Sequence, residues 1–226
     1  MTEVESAILR RTMAIGDLRS VVELGCGEGR LSLVLQEAAK RYCAFDATAR
    51  FLRRVPLRSE ARSSRVAGNV YRLPFRDRAF TFATLIRVHG FLGDPVGAFR
   101  EIRRILVPGG LLVVSYEPHP SLGSLADDLK VALADRAGEP VRPRTFSRAP
   151  LVTVRPSALP TWSSTRRHFA EELASAGFST VREYPTGLED YRVMRWLPSA
   201  MFVRLSEVLP RAGGFPSRVV VARRAD

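Results

Sequence analysis

The sequence predicts an α/β domain in which a mostly parallel sheet carries helices on both faces, and three observations lead there. Compact apolar runs of strand length, SVVEL, YCAF, FTFATLI and LLVVSY, alternate with stretches whose apolar residues recur at helical spacing. The first run passes through a Gly-rich turn, GCGEG, directly into such a stretch, which is how a β-α-β unit begins. No linker-like segment divides the 226 residues into comparable halves, so residues 1–226 read as a single domain.

The elements follow in order. Val4, Ala7, Ile8 and Met13 define a first helix from Glu3 to Met13, broken at Gly16-Asp17. After the strand SVVEL and its turn, LSLVLQEAAK is the second helix, and YCAF is a strand that ends at Asp46. An Arg-rich helical segment runs through Arg54 and stops at Pro56. SSRVAGN is a short strand, LPFRDRAF a turn region, and FTFATLI a buried strand. A helix from about Asp94 to Leu106 places Phe99, Ile102 and Ile105 on one side, Pro108-Gly109-Gly110 stops it, and LLVVSY is the next strand. Prolines accumulate from Pro118 to Pro160, with one short helix expected around 122–134. Thr165 caps a helix that carries Phe169 and Leu173 and ends at Gly177; a strand, a helix near 199–209 and the strand RVVVA close the chain.

Composition narrows the class. A hydrophobic fraction of 46% and a charged fraction of 26% are those of an ordinary globular protein, which excludes disordered and fibrous chains. The formal net charge of +12 would suit a polyanion. Among the 35 basic residues only Lys40 and Lys130 are lysines, so 33 are arginines, scattered rather than gathered, as a coding bias would leave them. Nucleic acid is therefore not the favoured partner. Cys26 and Cys43 are too few for a disulfide framework and lack metal-ligand spacing, so no metal site is expected. The charged N-terminus and the lack of any run of about 18 apolar residues predict a cytoplasmic protein without a membrane span.

The sharpest motif is Glu23-Leu24-Gly25-Cys26-Gly27-Glu28-Gly29 at a strand-to-helix junction. Glycines let backbone approach a ligand closely, and free N–H groups at a helix start suit a nucleotide-like molecule. A dinucleotide fold would need a sixth-position glycine where Arg30 stands. An acidic residue followed by G-x-G-x-G instead resembles the first motif of the class I S-adenosylmethionine-dependent methyltransferases, the type 11 methyltransferase-domain family. Gly68-Asn69-Val70, then Leu73-Pro74-Phe75 with Asp77 and Phe80, then Glu101 through Leu106 with Pro108-Gly109-Gly110, are similar to that family's later motifs in order and spacing. Asn69 and Thr81 stand where the family often has acidic residues.

The resemblance implies a Rossmann-like fold with an antiparallel strand near the C-terminus, and S-adenosylmethionine as cofactor. It implies that Glu23, Gly25, Cys26, Gly27 and Gly29 wrap the cofactor's methionine and ribose portions. Asp46, with Ala47 beside it, would accept the ribose hydroxyls, Asn69 and Val70 would flank the adenine, and the backbone at Arg87 would pass alongside. Methyl transfer needs in-line placement, exclusion of water and, for some acceptors, a base. His89, Glu117 and His119 follow strand ends, where ligands of open α/β sheets bind, and are the candidate catalytic residues. Residues 118–162 and 189–215 match no motif and are expected to cover the substrate. The first expectation is a methyltransferase acting on a small organic acceptor, an apolar one by preference. An RNA or protein methyltransferase, and a non-catalytic protein that binds the same cofactor, remain as alternatives.

Overall fold

A computed structural model describes residues 2–58, 62–118, 142–144, 151–153, 164–186, 200–202, 204 and 217–226. Helix α1 (Thr2–Met13) precedes β1 (Val21–Leu24), α2 (Ser32–Gln36), β2 (Arg41–Asp46), α3 (Ala49–Leu52) and β3 (Arg62–Ala67). Then come β4 (Phe80–Leu85), α4 (Pro95–Ile105) and β5 (Leu106–Tyr116); the short strands β6 (Arg142–Arg144) and β7 (Leu151–Thr153) pair antiparallel with each other. Helix α5 (Arg166–Ser175) and strands β8 (Phe178–Thr186) and β9 (Ser217–Arg224) follow.

Seven strands form one sheet in the order β3-β2-β1-β4-β5-β9-β8. The first five are parallel, and β9 runs antiparallel to both β5 and β8. The antiparallel strand expected near the C-terminus is therefore β9, inserted between β5 and β8. From β1 the chain builds outward to β2 and β3, then returns to place β4 on the other side of β1. That reversal opens a crevice beyond the carboxyl ends of β1 and β4, the position at which doubly wound sheets take ligands.

Strand alternation explains the two cores. Val22, Cys43, Phe45 and Ala83 face a core closed by Phe99 and Ile102 of α4 and Phe169 and Leu173 of α5. Val21, Tyr42, Ala44 and Phe82 face the opposite core, with Ile8 and Leu9 of α1 and Leu35 of α2. Helices thus cover both faces, as the uninterrupted apolar runs require.

Local chemistry sets the element ends. Asp94 caps α4, its Oδ1 accepting from Gly97 N at 2.9 Å, with Pro95 in the first turn. Thr165 caps α5 in the same way, accepting from His168 N at 3.1 Å. Pro108-Gly109-Gly110 is not the stop of α4: the helix ends at Ile105, and Leu106 is already extended and fully buried at the start of β5. The expected helix at 122–134 lies outside the described residues, as does most of 189–215, of which 200–202 and 204 are helical.

Two of the motif residues act as fasteners. The Thr81 hydroxyl accepts from Ser20 N at 3.2 Å and donates to Asp17 O at 2.7 Å, so it performs the joining of β4 to the entry of β1 without a carboxylate. Arg104 donates to both oxygens of Glu101, to Asp77, and to the Leu73 and Phe75 carbonyls, while Glu101 also accepts from Leu73 N at 3.0 Å. The Arg104 hydrogen bonds hold the Glu101 carboxyl below the usual glutamate value. A depressed value in the folded state stabilises above the unfolded value near ~4.3, and the contribution is lost as pH falls through the lower folded value. Glu101→Gln is accordingly expected to cost about 1–2 kcal/mol at pH 7. The difference from the parent should shrink below about pH 4, as read by urea unfolding at both pH values.

Candidate active site

The Gly-rich turn is stitched to β2 before any ligand is considered. Gly25 N and Cys26 N both donate to Phe45 O, at 2.8 and 3.0 Å. Gly25 is left-handed (φ +68°), and a Cβ there would lie 2.2 Å from Val88 Cγ2, so the turn is packed directly on the segment after β4. Gly27 is also left-handed (φ +55°), but a Cβ there would meet nothing within 4 Å; its N–H donates to Asp46 Oδ2 at 2.8 Å. The other Asp46 oxygen accepts from Thr48 N at 2.8 Å. Asp46 is thus fixed at the end of β2 by backbone on both sides, with lone pairs left over for a vicinal diol.

Glu23 supports the turn from below. Its carboxyl is buried, accepts from Ser32 Oγ at 2.6 Å and is bonded to the Tyr42 hydroxyl. Burial pushes its pKa up, and the bonds from Ser32 and Tyr42 oppose the rise. Its hydrogen bonds tie β1, α2 and β2 together under the Gly-rich turn.

Two cavities open over this region. The larger, about 740 Å³, is lined by Gly25, Asp46, Ala47, Asn69, Val70 and Arg87 among the expected residues. Phe45, Phe51, Leu85, Val88, Phe91 and Leu92 supply its apolar wall. The smaller, about 250 Å³, is lined by Glu23, Gly25, Cys26, Gly27 and Arg87, with Arg30 and Glu28. Nine of the ten expected cofactor residues therefore border one cavity or the other; Gly29 borders neither and turns the chain against Pro56 and Val55. Asn69 Oδ1 folds back to accept from Tyr71 N at 2.9 Å, so its carbonyl shapes the loop as well as facing the cavity region.

The catalytic candidates are placed differently. His89 is 1% exposed and borders neither cavity. Its Nε2 lies 2.9 Å from Glu172 Oε2 on α5, and its ring packs against Phe99, Tyr116 and Phe169. The expectation of a base at the strand mouth is corrected for His89: the turn after β4 points it into the core, where it fastens that turn to α5. Glu117 is exposed at the end of β5 and borders neither cavity, while its carbonyl accepts from Ser164 N at 3.3 Å. His119 lies outside the described residues. His89→Ala is expected to lower stability by about 2–4 kcal/mol in denaturant unfolding, through lost packing and the loss of the partner of Glu172 Oε2, while Glu172 Oε1 keeps His168. Nucleoside affinity should change less than about threefold, since His89 borders neither cavity. A large affinity loss at unchanged stability would return His89 to the site.

Sequence reasoning missed the aromatic wall. Phe51, Tyr71 and Phe91 are 40%, 40% and 52% exposed yet border the larger cavity. It also missed Glu5, a carboxylate of α1 bonded to both Arg30 and Arg87. An acidic residue set between Val4, Ile8 and Leu9 on an apolar helix face was the available signal.

The residues present suit a nucleoside with a charged tail. Asp46 offers paired acceptors, Gly27 leaves open the space a Cβ would occupy, and 740 Å³ falls within the usual range of ligand pockets. A family model described as a methyltransferase domain matches residues 22–114, from β1 through most of β5. Residues 22–114 are thus similar to the methyltransferase-domain family over the stretch that carries the Gly-rich turn, Asp46 and Asn69. S-adenosylmethionine, that family's cofactor, fits the cradle just described.

Similar proteins extend the comparison beyond that stretch. It is 29% identical to the demethylmenaquinone methyltransferase of Mycolicibacterium paratuberculosis over 76% of this chain and 73% of that one. It is 31% identical to an uncharacterized 37.1 kDa protein in transposon TN4556 of Streptomyces fradiae over 51% of this chain, and the match spans only 35% of that protein's length. The crystal structure of an S-adenosylmethionine-dependent methyltransferase from Mesorhizobium loti superposes with a TM-score of 0.63 at 19% identity, covering 96% of each chain, which shows the shared fold.

Proposed function

We propose that this methyltransferase transfers the methyl group of S-adenosylmethionine to a small organic acceptor of apolar character. The observation that supports this most directly is the larger cavity. Asp46 and the Gly-rich turn give it one polar side, and Phe51, Val88, Phe91 and Leu92 give it an apolar one. When bound, the cofactor supplies an electrophilic methyl group on a sulfonium sulfur. Asp46 would accept the ribose hydroxyls, the backbone from Gly25 to Gly27 would cradle the chain beyond them, and the apolar wall would exclude water that competes for the methyl group.

The relative named for demethylmenaquinone supports an apolar acceptor and supplies the first compound to try. Among the described residues no helix is long and apolar enough to cross a membrane. The test is methyl-labelled S-adenosylmethionine incubated with the purified protein and, separately, demethylmenaquinone, a panel of small phenols and naphthoquinols, bulk RNA and a protein extract. Label in an organic-extractable small molecule is the expected outcome. Label confined to RNA or protein would overturn the acceptor class, and cofactor binding without transfer to any class would leave a non-catalytic binding protein.

A further inference from the structure

Three exposed aromatic side chains stand at the mouth of the larger cavity, each supplied by a different segment. Phe51 comes from α3, Tyr71 from the loop after β3, and Phe91 from the 3₁₀ turn after β4. Phe91 is 52% exposed and the other two 40%, while Leu85 and Leu92 are buried behind them in the same cavity wall. Single apolar residues are ordinary on a protein surface, but three gathered on one opening mark a contact site.

Arginines flank these rings. Arg50 and Arg53 lie on either side of Phe51 in one helical stretch, and Arg72 follows Tyr71. All three are exposed, and among the described residues none of their guanidiniums bonds to an acceptor. The acids nearby are engaged: Asp94 accepts from Gly97 N at the start of α4, Asp46 holds Gly27 N and Thr48 N, and Glu28 pairs with Arg54. From Arg50 to Arg78 the chain carries nine arginines against Glu60 and Asp77, and a field of one sign draws a protein toward a polyanion.

A nucleic acid and an anionic bilayer would both answer to that charge, and the apolar mouth decides between them. A base entering the cavity needs polar partners for its edge, whereas both oxygens of Asp46 and Oδ1 of Asn69 already accept from backbone. A bilayer surface asks for guanidiniums at the headgroup phosphates, aromatic rings at the boundary below them and apolar surface beneath. The rim offers these three in that arrangement.

We propose that the rim formed by Phe51, Tyr71 and Phe91 with Arg50, Arg53 and Arg72 docks on an anionic lipid surface. Docked in this way, the larger cavity opens toward the phase in which an apolar acceptor dissolves. That orientation rests on the acceptor reading above; the docking itself does not.

Co-sedimentation with vesicles of phosphatidylcholine alone, or of phosphatidylcholine with phosphatidylglycerol, tests this across a series of salt concentrations, with bulk RNA as a separate arm. The proteins are wild type, Phe91→Ser, a rim triple variant (Arg50→Gln, Arg53→Gln, Arg72→Gln) and a distal one (Arg76→Gln, Arg78→Gln, Arg223→Gln). The distal triple removes the same charge at the opposite end of the sheet, where β4 starts and Arg223 pairs with Leu111. Wild type should partition at least about 10-fold more strongly onto the anionic vesicles, with the difference closing as salt rises. The rim triple should lose about 100-fold, from roughly fivefold per arginine, and the distal triple less than about threefold. Phe91→Ser should lose about 10-fold at every salt concentration, since burial of a ring is not screened. The rim triple should keep the melting temperature and the S-adenosylhomocysteine affinity of wild type.

Equal losses in the two triples would reduce the effect to net charge and overturn the proposal, as would a wild type that binds neither kind of vesicle. A rim triple that keeps vesicle binding but loses bulk RNA would assign the face to nucleic acid and overturn it as well. A folded wild type that docks through the rim but does not bind S-adenosylhomocysteine would uphold the docking face and sink the methyltransferase reading, so the two failures are distinct.

Discussion

Gly25→Ala is expected to lower stability by about 2–5 kcal/mol and to remove measurable cofactor binding, whereas Gly27→Ala should keep the fold. Both residues sit in the left-handed region, which costs an alanine about 1–2 kcal/mol. Only at Gly25 does a second penalty apply. There the new methyl would sit 2.2 Å from Val88 Cγ2, and a β-branched valine cannot swing aside as a long flexible side chain would. The turn or Val88 must shift, at about 1–3 kcal/mol for overpacking, and both border the larger cavity. Urea unfolding of the two variants beside titration with S-adenosylhomocysteine checks this. Equal destabilisation of both variants would show that strain alone matters and that the Val88 contact does not.

Asp46→Ala should weaken S-adenosylhomocysteine binding by at least about 100-fold, from the loss of two charge-assisted hydrogen bonds worth about 1.5–3 kcal/mol each. A further part of the loss comes from the protein alone. The same carboxylate holds Gly27 N and Thr48 N, each at 2.8 Å, so the Gly-rich turn loses its brace to β2 when the side chain is removed. Asp46→Asn separates the two contributions: one carbonyl oxygen can keep one backbone bond, while a diol loses its paired acceptor. Titration of parent and both variants, with NAD as the control that should not bind, reads the effect. Parent-like affinity in Asp46→Ala would remove Asp46 from the ligand site.

The sheet and the Gly-rich turn were legible in the sequence for identifiable reasons. Strands buried on both faces read as unbroken apolar runs, and GCGEG could be only a tight strand-to-helix turn that needs glycine. The order of the motifs after it carried the resemblance onward to Pro108-Gly109-Gly110. What could not be read was side-chain direction in turns. His89 follows a strand end just as a catalytic histidine would, but the residues from 89 to 91 form a 3₁₀ turn whose winding buries the ring against Phe169. Nothing in linear spacing reports that rotation. The aromatic wall was missed for the opposite reason: Phe51 and Phe91 lie in helical or turn segments where an apolar residue is normally assigned to the core. Glu5 was hidden by distance, since its partners are 25 and 82 positions away.

The sheet ends on one side at β3, whose outer row of N–H and C=O groups has no further strand to bond among the described residues. A bare edge of that kind is a template on which a second copy of the chain could continue the ribbon. Arg62 and Arg65 stand exposed along it, within the sequence RSSRVA. Two approaching edges would bring like charges together at strand spacing, and each guanidinium would lose water in the process. Charge placed along a sheet edge opposes such pairing, and Arg62 supplies it here, while Arg65 also donates to Val55 O at 2.6 Å.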